Sequence, residues 1–376
     1  DASTTSDVAN YVDEIEISGP VVGIDGSGDG FLESNYDITY VAGDLSVNKR
    51  AITVTPSRQE KVYGDQLILD DTAFTVIDLD NDSTLPNGEV IETVSVISRG
   101  EHDTSTTSNA VTYQDDLEIT EFETGSNGFD SNNYSFDFSN LGDFVINRRA
   151  AQIIASAQEK DYGDVHDLGN TAFTVVDRDG GALPNGETVD TVTLVSADGV
   201  DASTDADAVL YADNISVTPT STNDATIAGS ANFNQENYTF SYGTGDLTVN
   251  RRAAQIIASA QEKDYGDVHD LGNTAFTVVD RDGGALPNGE TVDTVTLVSA
   301  DGVDASTDAD AVLYADNISV TPTSTNDATI AGSANFNQEN YSFSYGTGDL
   351  AVNRRAAQII ASAQEKDYGD VHDLGN

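Results

Sequence analysis

The chain has 376 residues, of which 16 are Lys or Arg and 65 are Asp or Glu, giving a formal charge of −49. That balance excludes a nucleic-acid binder, which needs a basic surface to neutralise phosphates, and argues against docking on anionic lipid. With no Cys, Met or Trp, disulfides, thiolate metal sites and a Cys nucleophile are excluded, and the redox compartment stays open.

No run of about 18 apolar residues is present, so no membrane insertion is expected in this region. A compact chain of such charge repels itself unless salt or bound cations screen it, which points to a saline or divalent-rich medium.

The chain is periodic. The stretch Gly245-Asp-Leu-Thr-Val-Asn-Arg-Arg-Ala-Ala-Gln-Ile-Ile-Ala-Ser-Ala260 recurs from Gly142 and Gly348, with a divergent copy from Gly43. Arg148 to Arg251 and Arg251 to Arg354 are both 103 positions, the length of a small domain. In chain order, 1–48 reads as the C-terminal part of a repeat, because Asp1-Ala-Ser-Thr4 and Tyr11 match Asp201-Ala-Ser-Thr204 and Tyr211. Residues 49–147, 148–250 and 251–353 are three β repeat domains, and 354–376 is the N-terminal part of a further repeat. The second and third complete repeats differ only at Thr239 against Ser342 and Thr248 against Ala351, a pattern that favours length over chemistry.

Within 148–250, strands are predicted at 151–157, 172–176, 189–195, 208–211, 215–218, 238–242 and 246–249. These runs are short, rich in β-branched and aromatic residues, and bounded by Gly, Asn, Asp or Pro. Tyr238, Phe240 and Tyr242 share one face at period two, and Gly243-Thr-Gly245 reads as a hairpin turn to the next strand. The only helical fragments the sequence offers are turns around 164–170 or 186–190.

Seven strands in about 100 residues predict a small β-sandwich of the Ig-like kind. Asp246–Ala260 contains no Gly or Pro, so the last strand of one repeat is expected to run almost directly into the first of the next. The predicted architecture is an all-β tandem array of Ig-like sandwich domains joined by near-continuous strands into an elongated rod.

Each repeat opens with Lys61-Val-Tyr-Gly-Asp65 or Lys160-Asp-Tyr-Gly-Asp164. It closes with Asn237-Tyr-Thr-Phe-Ser-Tyr242, or the related Asn35–Tyr40, followed by Gly-Asp-Leu-x-Val-Asn-Arg. In this order and recurrence the motifs resemble the MBG and YDG-type tandem repeats of large bacterial surface adhesins. The resemblance covers the three complete repeats and both fragments. It implies β-rich stalk modules displayed outside the cell, at the cell surface or in a biofilm matrix, with no enzymatic chemistry.

Asp78-Leu-Asp-Asn-Asp-Ser-Thr-Leu-Pro-Asn-Gly-Glu89 places carboxylates at positions 1, 3, 5 and 12, the spacing at which an oxygen-lined loop wraps Ca²⁺. Asp78, Asp80, Asp82 and Glu89 are therefore either a calcium site or solvated acidic turns. The loop Asp25–Gly30 begins in the same way and lacks an acid at the twelfth position.

The pairs Arg148-Arg149, Arg251-Arg252 and Arg354-Arg355 stand at the joints. They either clamp carboxylates of adjoining repeats, since guanidinium binds carboxylate bidentately, or simply alternate between strand faces. The acidic stretch 198–207 lies in a loop that could approach the joint. The four His residues, one per repeat from His102 to His372, lack the partners that catalysis requires.

The functional expectation is a stiff spacer or stalk in an extracellular adhesin or matrix fibre. Its partners would be neighbouring repeats of the same chain, and identical chains if a multistranded filament forms by strand pairing.

Overall fold

The structure, a computed structural model, describes residues 3–18, 35–78, 83–218, 227–321 and 330–373. By backbone contacts the chain divides into two compact units. The first is Asp1–Ile153, Val175–Val192 and Pro219–Tyr242; the second is Ile154–Thr174, Thr193–Thr218 and Gly243–Asn376. The division passes through the middle repeat, so the contact-based units are not the sequence repeats.

In the first unit, β1 (Ala9–Ile15) pairs antiparallel with β2 (Gly43–Val47). The next repeat contributes β3 (Arg50–Pro56), β4 (Gln59–Val62), β5 (Phe74–Asp78), β6 (Val90–Ser98), β7 (Thr112–Ser126), β8 (Tyr134–Asp137) and β9 (Gly142–Asn147). One sheet has the order β5-β3-β8 and the other β4-β9-β7-β6. Each carries one parallel pair, Arg50↔Tyr134 in β3 and β8 and Gln59↔Phe144 in β4 and β9; the other pairings are antiparallel.

The alternation that predicted these strands is what builds the core. Ile52 and Val54 of β3 point inward at period two and pack with Ile91, Val94, Ile119 and Tyr134. Burying each such aliphatic side chain stabilises the fold by roughly 1.5–3 kcal/mol. A ladder of Phe122, Phe129, Phe136 and Phe138 lies against them, with Phe122 and Phe136 stacked at 5.8 Å.

The second unit holds the third repeat, whose strands Arg252–Ala258, Gln261–Asp264, Phe276–Asp280, Thr296–Ser299, Leu313–Thr321, Tyr341–Gly346 and Gly348–Asn353 repeat the same two sheet orders. A single residue, Arg148, separates β9 from β10 (Arg149–Ala155), and Arg251 alone separates Gly245–Asn250 from Arg252–Ala258. The near-continuous strand expected from the missing linker is therefore present.

Five local expectations are revised, the first being the run 189–195, which is two strands: Val189–Thr191 pairs with Ala228–Gly229, and Thr193–Ser196 belongs to the four-stranded sheet. Gly243-Thr-Gly245 is not a hairpin: Tyr238–Gly243 belongs to the three-stranded sheet and Gly245–Asn250 to the four-stranded one, so the segment carries the chain between sheets. Gly245 is required there by close approach, since a Cβ would lie 2.7 Å from the carbonyl oxygens of Ala155 and Ser156.

The runs 208–211 and 215–218 are one strand, Leu210–Thr218, interrupted by a bulge. At the bulge Asp213 takes φ 53° and its amide donates to Asp246 Oδ1 at 2.9 Å. Gln158–Asp161, a polar run with no hydrophobic signal, is a strand because it pairs in parallel with Gly245–Asn250. The helical turns predicted around 164–170 and 186–190 are absent; short 3₁₀ turns stand instead at Pro184–Gly186, Ala197–Gly199 and Gln235–Asn237.

Candidate functional site: the joint between repeats

The joint of the first unit is organised by β10 as it leaves β9. Successive strand residues face opposite ways, so Arg148 stays half-exposed beside Glu236 at 3.8 Å while Arg149 turns inward to 6% exposure. Arg149 donates Nε to Asp177 Oδ1 at 2.6 Å and Nη2 to Asp177 Oδ2 at 2.7 Å, a bidentate pair within its own repeat. Its Nη2 also reaches Asp179 at 2.6 Å. Its Nη1 crosses to the preceding repeat, donating to Asp65 Oδ1 at 2.7 Å and to the Tyr63 carbonyl at 3.1 Å. Arg178 takes the other Asp65 oxygen at 2.5 Å.

The Asp177 and Asp65 carboxylates raise the Arg149 pKa further above its already high value against the opposing effect of burial, with the Asp177 hydrogen bonds the largest cause. The same bonds hold the Asp177 carboxyl below the usual range against the opposing effect of burial. For Asp65 burial is the largest single influence and pushes upward, yet Arg149 and Arg178 together outweigh it and the net shift is downward.

Beside the clamp, one carboxylate is shared by two tyrosines from different repeats. Glu187, 3% exposed, accepts from Tyr63 Oη of the preceding repeat at 2.5 Å and, through its other oxygen, from Tyr238 Oη of its own repeat. The two rings meet edge-on with centroids 5.6 Å apart. Burial, and then the hydrogen bond to Glu187, push the Tyr63 hydroxyl up to about 12, and the same causes in the same order raise Tyr238.

The Tyr-Gly-Asp motif explains itself here. Gly64, at φ 85°, lies against Pro184, and a Cβ on it would come within 2.7 Å of the proline ring. Asn185 Nδ2 donates to the Thr106 carbonyl at 2.8 Å, and Asn237 Oδ1 accepts the Ala110 amide at 2.9 Å, so the loop of the preceding repeat that holds Thr106 and Ala110 also reaches the joint.

The second unit contains the same joint one repeat on. Arg252 binds Asp280 and Asp282 of its own repeat and Asp164 at 2.7 Å in the preceding one. Glu290 accepts from Tyr162 at 2.8 Å and from Tyr341. Asn288 donates to the Thr204 carbonyl at 2.8 Å, which places the 198–207 loop at the joint. That loop is pinned from inside its repeat by the buried Lys160, whose Nζ donates to the carbonyls of Asp164 and Asp201 at 3.2 and 3.3 Å and to those of Val200 and Ser203. Arg251 pairs with Glu339 at 3.2 Å, still on the exposed face.

Arg354 and Arg355 are exposed. Arg355 keeps the contact to Asp267 at 2.9 Å. Tyr265, the counterpart of Tyr63 and Tyr162, is 43% exposed.

Of the four calcium candidates, Asp78 pairs with Arg50, which donates Nη2 at 2.5 Å and Nε at 3.1 Å, and Glu89 accepts from Tyr134 at 2.7 Å. Asp80 and Asp82 lie outside the described residues, as does the Asp25–Gly30 loop. No group of three or more metal-ligating side chains occurs among the described residues. His166 bonds Gln158 at 2.8 Å, and His102 stacks on Tyr113 with centroids 3.6 Å apart.

Sequence reasoning singled out the arginines and missed Glu187, Glu290 and the asparagines. The signal for Glu187, Glu290, Asn185 and Asn288 was the recurrence of Leu-Pro-Asn-Gly-Glu at 85–89, 183–187 and 286–290, while Asn237 lies outside that motif.

No protein family matches the chain, and no curated protein does. Among solved structures, it is similar to the Bacillus anthracis TIE protein at 11% identity and a TM-score of 0.15. That match covers 85% of this chain, which spans about half (52%) of that structure. At that score the likeness carries no argument about fold or function.

Proposed function

We propose that this chain is a structural repeat region of an extracellular adhesin or matrix fibre, a stiff spacer of the MBG/YDG type with no catalytic role. The observation that carries the reading is Arg149, which joins Asp65 of one repeat to Asp177 and Asp179 of the next from a buried position. A spacer must transmit force from repeat to repeat, and a buried guanidinium bound on both sides resists bending that a flexible linker would allow. Near-identity of successive repeats and the arrival of Arg252 in the same setting support repetition of one joint as the design. The charge of −49 fits a saline exterior.

Immunogold labelling of cells that make the protein tests the location: label on surface fibres or matrix is expected, and label confined to the cell interior would refute it. Stiffness has its own test. Inserting a few Gly and Ser residues between Asn250 and Arg251 should leave each repeat folded and broaden the distribution of end-to-end distances measured by paired spin labels. An unchanged distribution would place stiffness elsewhere.

A further inference from the structure

Leu183-Pro-Asn-Gly-Glu187 and its copy Leu286-Pro-Asn-Gly-Glu290 put an Asn-Gly pair at each joint. Asn is a thermolabile residue, because the amide nitrogen of the next residue can attack its side-chain carbonyl carbon. Gly in that next position leaves the nitrogen unhindered. Asn185 and Gly186 are both exposed, and a Cβ on Gly186 would meet nothing within 4 Å.

The reaction open to this pair needs only water. The Gly186 nitrogen bonds to Asn185 Cγ, the Cγ–Nδ2 bond breaks, and ammonia leaves with the Gly186 amide proton, closing a five-membered succinimide. Water then opens one of the two ring carbonyls. The product is Asp or, with the main chain rerouted through the side chain, isoaspartate, and either adds one negative charge.

In the closed joint this reaction is blocked at both reacting groups. Asn185 stands at φ 58° and ψ 15°, which turns the Gly186 nitrogen away from the Cβ side on which the ring must close. Rotating ψ to bring it round would break the hydrogen bond that Asn232 Nδ2 donates to the Asn185 carbonyl at 3.1 Å, and that of the Glu187 amide to the Pro184 carbonyl at 3.1 Å. The side chain is tied as well. Its Nδ2 donates to the Thr106 carbonyl of the preceding repeat at 2.8 Å and to Tyr63 Oη at 3.4 Å. Asn288 is held in the same way, at φ 56° and ψ 17°, by Thr204 at 2.8 Å, Tyr162 at 3.3 Å and Asn335 at 3.1 Å.

The joint also requires an amide at this place. The Thr106 carbonyl is an acceptor, and Tyr63 gives its one hydroxyl proton to Glu187, so both need a donor from residue 185. A carboxylate there has no proton to give and would face two acceptors beside the buried Glu187. We propose that Asn185-Gly186 and Asn288-Gly289 are sites of gated self-modification. A closed joint keeps them as Asn, an opened joint lets them deamidate, and the resulting carboxylate prevents the joint from closing again. Each joint thereby keeps a chemical record of having opened. The gating needs only the hydrogen bonds of the joint and holds whether or not the array is a spacer.

Peptide mapping by mass spectrometry reads the conversion at each site in the 376-residue chain aged at mildly alkaline pH, with and without denaturing urea. Asn185 and Asn288 should convert more slowly in the folded chain than in urea. Tyr63→Phe should speed Asn185 about tenfold by enlarging the opened population of the first joint, and leave Asn288 unchanged. Asn127-Gly128, an exposed pair whose Nδ2 bonds the Gly88 carbonyl of its own repeat at 3.1 Å, reports any general unfolding. If Asn127 speeds up too, Asn185→Asp decides. As a mimic of the product, it should speed hydrogen exchange at residues 63–65 and 183–187 and leave the second joint as it is. Equal conversion in the folded and urea-unfolded chain, an Asn185 rate that Tyr63→Phe leaves unchanged, or an Asn185→Asp joint that exchanges as slowly as the wild type would each overturn the assignment. None of these outcomes touches the arginine clamp.

Discussion

Tyr63 and Tyr238, which belong to successive repeats, divide one buried carboxylate between them: each donates its hydroxyl to a different oxygen of Glu187. The arrangement recurs with Tyr162, Tyr341 and Glu290. Neither repeat alone satisfies that carboxylate, so the bond network makes adjacent repeats interdependent, as nearest-neighbour coupling in a repeat array requires.

Tyr63→Phe removes one of the two donors and leaves a Glu187 oxygen buried without it. Loss of about 1–3 kcal/mol is expected, confined to the first joint, with no effect at Tyr162. Residue-resolved hydrogen exchange would show the change at residues 63–65 and 183–187 only.

Arg149→Met keeps much of the side-chain volume and strips the counter-charge from Asp177, which is itself buried. Breaking a buried pair from one side costs about 3–5 kcal/mol. Arg148→Met, on the half-exposed face beside Glu236, is expected to cost no more than about 1 kcal/mol. Thermal unfolding of the two variants should therefore separate clearly; equal effects would refute the division of labour between the adjacent arginines.

Acid and alkali should act on different parts of the joint. The Asp177 and Asp280 carboxyls are held low by Arg149 and Arg252. Their contribution is complete above the ordinary carboxylate pKa of about 3.9, and it is lost as pH falls through the lower folded values. The Tyr63 and Tyr162 hydroxyls are raised to about 12 by burial and by Glu187 and Glu290. Their contribution is complete below the ordinary tyrosine value of about 10, and it disappears as pH climbs toward 12. A spectroscopic titration should find a class of tyrosines ionising late, together with loss of the joint.

Gly163→Ala probes backbone and packing at once. Gly163 has φ 88°, and a Cβ would sit 2.7 Å from Pro287. Strain of this kind costs about 1–3 kcal/mol, while Gly181→Ala, where a Cβ meets nothing within 4 Å, should be nearly neutral.

Chelation separates the arginine clamp from calcium. The cation bound to Asp177 and Asp280 is a guanidinium, so EDTA should leave hydrogen exchange at both joints unchanged. Faster exchange there on chelation would show a metal contributing to the joint.

The fold was legible where physics is local. Period-two alternation in β3 and in Tyr238–Gly243 gave strands because one face of each is buried. The run from Gly245 to Ala258 gave the joint because Gly and Pro are absent after its first residue. Long-range pairing was not legible. Gln158–Asp161 is polar and becomes a strand only through its parallel partner. The glycines of 243–245 look like a hairpin, yet they serve a crossing between sheets under the Ala155 and Ser156 carbonyls. The site was half legible: a charged pair in an uncharged strand drew notice to Arg149, whereas Glu187 was one acid among 65 Asp and Glu residues. Only its fixed place after Leu-Pro-Asn-Gly marked it.

The central claim, that successive repeats are energetically coupled through the joint, is tested most directly by a double-mutant cycle on Tyr63→Phe and Glu187→Leu. It is read from hydrogen exchange of the Tyr63 amide, which donates to the Asn147 carbonyl at 2.9 Å. A coupling energy of about 1–3 kcal/mol between the two residues is predicted; additive effects, with coupling below about 0.3 kcal/mol, would contradict it.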